Sequence, residues 1–192
     1  ADESCDDDDD CHDEECHASR GSSTTADVII VGAGAAGVGV ALMLTQTFGL
    51  DASRVLLLER GETVGESFRR WPAEMRFISP SFNQQGWTSS FDLNSIAHGT
   101  SPAYSLHAEH PSGEEYAEYL SAVARGAKLN VRALTEVVSV KKEGASFSVE
   151  VREAGGAAGA GKRRKRAAEK LTAKYVVWAA GEFQYPRECF CV

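Results

Sequence analysis

Six residues near the start of the chain carry the strongest chemical signal. Gly32, Ala33, Gly34, Ala35, Ala36 and Gly37 form the pattern G-x-G-x-x-G. Alone the pattern says little. Here it follows a run of β-branched residues, Val28 to Val31, and opens a stretch rich in Ala and Leu. In that context each glycine has a task. Gly32 permits a tight turn, Gly34 lets backbone approach a pyrophosphate with no Cβ between them, and Gly37 lets the helix lie close to the strand. The helix start offers N–H groups and a positive dipole end to phosphate. Glu59 comes 22 residues after Gly37, at the end of a second apolar run, Val55 to Leu58. A carboxylate there accepts hydrogen bonds from ribose hydroxyls and repels a 2′-phosphate. Together these residues predict a site for the adenosine half of FAD or NAD, and not of NADP.

The elements that position them read as one βαβ unit. A strand is expected over Ala26 to Val31, a helix over Ala35 to Phe48 stopped by Gly49, and a strand over Val55 to Leu58. Val28 to Val31 and Val55 to Leu58 are continuously apolar, as strands buried on both faces of a parallel sheet must be. Residues 61 to 105 read as loops and short pieces, because Pro72, Pro80 and Pro102 interrupt them. Phe68, Trp71, Phe77, Phe82, Trp87, Phe91 and Tyr104 gather in this segment. A long aromatic loop region inside a domain is usually functional or packs over something. Ser112 and Glu115 have the spacing of a capping box, opening a helix with Tyr116, Tyr119, Leu120 and Val123 on one face. Short strands follow over Asn130 to Ala133, Thr135 to Val140, Phe147 to Val151 and Leu171 to Trp178, with a turn at Lys142 to Ala145. The fold class read from this order is α/β: a parallel sheet with a crossover antiparallel β-meander. A plain NAD domain would instead continue with alternating helices and parallel strands.

Composition narrows the function classes. The formal charge of −8 belongs to the first 17 residues, which hold ten acids and no Lys or Arg; the remaining 18 acids face 20 bases. No basic surface for nucleic acid is expected from that balance. Residues 1 to 25 read as a disordered acidic tail, neither a signal peptide nor a folded piece. Cys5, Cys11, His12, Cys16 and His17 are metal-type ligands, but their spacing matches no compact zinc module, and no metal site is expected. The apolar stretch Val28 to Leu44 is interrupted by four glycines, so no membrane span is expected. All five cysteines lie near the ends of the chain, which fits a reducing, cytoplasmic setting rather than a disulfide framework. Residues 154 to 170 carry Ala-Gly repeats and then Lys162 to Arg166, read as a flexible basic insertion between paired strands rather than a polyanion-binding patch.

Two further stretches carry a resemblance. Tyr175 to Ala179 is an apolar strand running into Ala179-Ala180-Gly181, with Pro186 downstream. Gly65-Glu66-Ser67-Phe68-Arg69-Arg70-Trp71 looks like a G-G-x-W loop in which Glu66 replaces the second glycine. With the first glycine motif, the chain resembles the superfamily of flavin-dependent monooxygenases and pyridine nucleotide-disulfide oxidoreductases over roughly residues 26 to 187. The resemblance implies a Rossmann-like FAD/NAD(P)-binding domain over 26 to 188 and FAD as cofactor. It implies cofactor contacts at Gly32, Gly34, Ala35, Ala36, Gly37, Glu59, Arg60, Ser67, Trp71, Val137, Ala180 and Gly181. Ala180 stands where the family usually has Thr. The NADPH-binding domain of that superfamily is expected to be absent from this chain, so NADPH is expected only with that second domain. No cysteine lies between Cys16 and Cys189, which removes the dithiol pair of the disulfide reductases and favours a monooxygenase-like flavoprotein. No catalytic acid or base is assigned, and loop or capping roles are expected for His98, His107 and His110. The substrate is a small molecule of unknown kind. The competing reading is a non-catalytic nucleotide-binding or interaction module.

Overall fold

The computed structural model describes residues 25–81, 92–155 and 168–181. Strand β1 (Ala26–Val31) lies between β2 (Val55–Leu58) and β6 (Glu169–Trp178), parallel to both. β3 (Asn130–Arg132) extends this parallel sheet beyond β2. β4 (Thr135–Glu143) and β5 (Ser146–Glu153) form an antiparallel hairpin, and β5 pairs antiparallel with β6. The strand order is β3-β2-β1-β6-β5-β4.

β6 belongs to two layers. Its residues Glu169 to Ala173 pair with β5, and Ala173 to Trp178 pair with β1. The hairpin therefore turns away at Ala173 and covers one face of the parallel sheet. Val149 and Val151 of β5 share a core with Ile29, Val31, Leu56 and Leu58. The other face carries Val28, Ile30, Val55 and Leu57, packed against α1 (Ala35–Leu42) and Ala124 of α4 (Gly113–Gly126). Alternate residues of β1 and β2 thus enter alternate cores. That is why Val28 to Val31 and Val55 to Leu58 read as unbroken apolar runs. Each fully buried Ile or Leu here contributes about 1.5–3 kcal/mol.

Helix α1 continues through a π-helical turn, Met43–Thr47, so the expected helix to Phe48 is present but widened. The Thr45 hydroxyl donates to Ala41 O at 2.8 Å, the kind of back-bond that perturbs a helix ladder. β4 extends to Glu143, past the expected Val140, and the hairpin turns at Gly144 and Ala145. The basic insertion is narrower than expected. Ala154 is buried with its N–H on Leu134 O, and Glu169 and Lys170 are already paired with β5. Thr25, placed in the tail from sequence, is tied to Thr172 by its N–H at 2.9 Å. The rest of the acidic tail, Lys162 to Arg166, Pro186 and the cysteines lie outside the described residues.

Two short helices sit over the sheet's helical face: α2 (Glu66–Arg69) and α3 (Pro102–Leu106). Part of the aromatic segment becomes a cluster. Phe68, Trp71, Phe77, Tyr116 and Tyr119 stack in sequence, with centroid distances from 4.4 to 5.9 Å. The cluster fastens the 61–77 segment onto α4. The capping box forms as expected, with Ser112 and Glu115 each bonding the other's backbone N–H. Among the described residues no helix is long and apolar enough to cross a membrane.

Candidate functional site

The glycine turn sits where β1 ends and α1 begins, fastened on three sides. Gly32 N–H donates to Leu58 O at 2.7 Å, joining the turn to β2. Gly32 has φ of 101°, a conformation glycine adopts without strain. A Cβ there would also lie 2.5 Å from Ala179 O, so the turn rests on the exit of β6. A Cβ built at Gly37 would lie 1.9 Å from Gly32 O, so α1 can approach the turn only without one. Packing within the protein accounts for these two glycines. Gly34 is different. Its Cβ would meet only Ser67 Oγ, at 4.0 Å. The space in front of Gly34 is open, and the N-terminus of α1 faces it with no side-chain cap. The first N–H groups of a helix have no acceptor within it, so an anion placed here would meet donors rather than side chains.

Glu59 stands beside the turn at the end of β2. Its Oε2 accepts from Ala33 N–H at 2.8 Å and its Oε1 from Gly61 N–H at 2.7 Å. Both bonds fix the carboxylate while leaving each oxygen a second lone pair. The backbone of Glu59 is also fastened, its N–H to Arg132 O at 3.0 Å and its C=O to Thr135 N–H at 2.8 Å. A half-buried carboxylate held this way is preorganised to accept from vicinal hydroxyls. Ser67 is brought to the same place because Gly65 N–H donates to Ala33 O at 3.0 Å, which pins the start of α2 to the glycine turn.

Residues 29–190 match the family model described as pyridine nucleotide-disulphide oxidoreductase. The chain belongs to that family. Solved structures of similar fold include the bacillithiol disulfide reductase Bdr from Staphylococcus aureus, at 22% identity and TM-score 0.60 over 82% of this chain and 39% of that one. The Bacillus cereus Bdr is similar at 24% identity and TM-score 0.59, over 86% of this chain and 42% of that one. The flavin-containing monooxygenase from Stenotrophomonas maltophilia follows at 20% identity and TM-score 0.58, over 81% of this chain and 38% of that one. The chain spans about two fifths of the length of these proteins. At these identities the likeness shows the Rossmann-like FAD/NAD(P)-binding fold.

The remaining candidates of this oxidoreductase-family site divide into two groups. Ala35 and Ala36 open α1, Arg60 is exposed next to Glu59, and Ala180 lies against Gly32, so these border the turn. Gly181 is exposed with φ of 76° just beyond. Trp71 and Val137 make packing contacts within the protein. Trp71 packs with Phe68 and Phe77, its Cβ close to where a Cβ at Gly113 would stand. Val137 is half-buried, packed against the core between sheet and meander. Beside it, Arg152 donates to Glu136 at 2.7 Å and, with the Arg60 charge adding to it, holds that carboxyl below the usual range. His107 ends α3 in a left-handed conformation and His110 Nδ1 lies 2.9 Å from Phe77 O, which are loop and capping roles.

A hollow of about 1300 Å³ runs along α4 and is lined in part by Gln46, His98, Tyr104, Tyr119 and Arg125. Its buried polar groups are spent on one another. Tyr119 OH lies 2.6 Å from Thr100 Oγ1 and accepts from Ile96 N–H at 3.1 Å, and Asp92 Oδ2 accepts from Ser101 Oγ at 2.7 Å. These bonds fasten the 92–106 loop to α4, whereas the space in front of Gly34 is bordered only by Ser67 Oγ at 4.0 Å from a built Cβ. Among the described residues no group of His, Cys, Asp and Glu is placed to hold a metal ion. Three site features are not evident from sequence: the two N–H groups on Glu59, the contact of Gly61 with Glu66, and the left-handed Leu134 (φ 51°) whose N–H holds Gly61 O. No local signal marks Leu134, because a leucine rarely adopts that conformation.

Proposed function

We propose that the glycine turn, Glu59 and Ser67 bind the adenosine diphosphate part of FAD, and that the chain is the flavin-binding part of an NAD(P)H-dependent oxidoreductase. The observation that carries this reading is Gly34. Its missing side chain serves no contact within the protein, yet it faces the N-terminus of α1 beside a fixed carboxylate. The residues present fit the group. The α1 N–H groups would take the pyrophosphate, Ser67 Oγ would stand within reach of it, and Glu59 would accept from the ribose hydroxyls. Bound FAD supplies the redox chemistry; the protein's part is to bind it, orient it and exclude water.

A monooxygenase-like activity is favoured over dithiol relay. No cysteine occurs between Cys16 and Cys189, so the segment that builds this site carries no thiol. Equilibrium titration of the purified chain with FAD, followed by quenching of flavin fluorescence, tests the binding. Saturable binding that is competed by ADP and not by 2′-phospho-ADP-ribose is expected. Absence of saturable binding would refute the reading.

A further inference from the structure

Glu66 occupies the place where the G-G-x-W pattern has its second glycine, and the structure shows what it does there. A Cβ at Gly61 would lie 2.3 Å from Glu66 Cγ and 2.5 Å from Glu66 Cβ. Gly61 is buried, and it is not among the residues with positive φ, so its backbone does not require glycine. What requires glycine is the aliphatic stem of Glu66, which lies directly on its Cα. The head of Glu66 is held at the same time. Thr63 Oγ1 donates to Oε2 at 3.3 Å, and Arg70 donates to Oε1 at 3.4 Å. Thr63 is in turn bonded by Arg69 Nε at 3.1 Å. On its other side Gly61 is held by Leu134 N–H on its carbonyl at 2.9 Å. Gly61 is thus clamped between Glu66 and Leu134, and its N–H is the one that fixes Glu59 Oε1.

We propose that Glu66 is a positioning residue for the Glu59 carboxylate, acting through Gly61. The inference rests on the FAD reading of Glu59 above. Glu66 adjoins Ser67 in α2, so the same contact couples the segment facing Gly34 to the carboxylate facing the ribose. A side chain that fixes the orientation of a binding group raises affinity without touching the ligand. Truncating it should free the Gly61 N–H and let the carboxylate turn.

Two readouts test this on the 192-residue chain. In the absence of ligand, amide hydrogen exchange at Gly61 should accelerate about tenfold in Glu66→Ala, while Ile30 and Leu57 in the core keep their protection. With FAD, Glu66→Ala should weaken binding about tenfold in the parental background and less than about twofold in a Glu59→Ala background. Glu66→Gln keeps the stem and an accepting oxygen and should restore most of the affinity. Gly61→Ala, which pushes the stem away from the other side, should reproduce the Glu66→Ala result and serves if that variant is poorly folded. Unchanged exchange at Gly61, or an equal loss of affinity with and without Glu59, would overturn the inference and leave the FAD reading standing. A parental chain that binds no FAD, with exchange at Gly61 still responding to Glu66→Ala, would overturn the FAD reading and leave the clamp.

Discussion

Alanine at Gly34, Gly37 and Gly39 should have three different effects, although all three glycines share one turn and one helix. At Gly37 the new Cβ would stand 1.9 Å from Gly32 O and 3.0 Å from Gly32 C. Real Cβ atoms do not approach closer than about 3.0 Å, so α1 and the turn must separate by about 1 Å. Both partners are backbone and neither can rotate away. Overpacking of this kind costs about 1–3 kcal/mol. At Gly39 a Cβ meets nothing within 4 Å, so alanine should stabilise by about 0.5–1 kcal/mol through helix propensity. At Gly34, the N-cap of α1, a Cβ meets only Ser67 Oγ at 4.0 Å, so stability should fall only by about 0.5–1 kcal/mol, the preference for glycine over alanine at an N-cap. Flavin affinity should nevertheless fall steeply there, because the Cβ fills the space assigned to pyrophosphate. Urea denaturation gives the stabilities and fluorescence titration the affinities. For a chain of this size each kcal/mol moves the melting temperature by about 2–4 °C. A Gly37→Ala variant as stable as the parent would refute the close approach. A Gly34→Ala variant that binds FAD with parental affinity would refute the cradle.

Glu59→Ala should weaken FAD binding by about 1–3 kcal/mol, the scale for losing hydrogen bonds to a charged acceptor; an unchanged dissociation constant would remove the ribose role. Tyr119→Phe should cost about 1–3 kcal/mol of stability, since Thr100 Oγ1, Ser95 Oγ and Ile96 N–H lose a shared partner; an unchanged urea midpoint would show that the loop is not fastened there. The Glu115 carboxyl is held below its usual range by Ser112 N–H first and the Ser112 hydroxyl second. Its folded-state pKa is depressed, so its contribution is present above the unfolded pKa and is lost as pH falls through the folded value. The stability gap between the parent and Glu115→Gln should therefore shrink between pH 7 and about pH 3, and a gap constant with pH would contradict the capping-box assignment.

The βαβ unit was legible because its signals are local. Continuous apolar runs, glycines at fixed offsets and a carboxylate at the strand end each follow from one element's own geometry. The capping box at Ser112 and Glu115 was legible for the same reason. The double membership of β6 was not. Ala173 looks like any strand residue, and only pairing with both β5 and β1 shows that the sheet turns there. The packing of Trp71 also escaped the sequence, because seven aromatics share that segment and contact geometry alone selects Phe68 and Phe77 as its neighbours. Glu66 read as a defect in a glycine pattern. Its contact with Gly61 depends on how the loop closes, which spacing does not encode.

An NMR titration of the isotopically labelled chain with FAD tests most directly whether the glycine turn holds the cofactor. Amide shifts are expected at Gly32 to Gly37, at Glu59 to Gly61 and at Ser67, saturating together with a single dissociation constant. Shifts confined to the hollow along α4, at Tyr104 and Arg125, with the glycine turn silent, would contradict it.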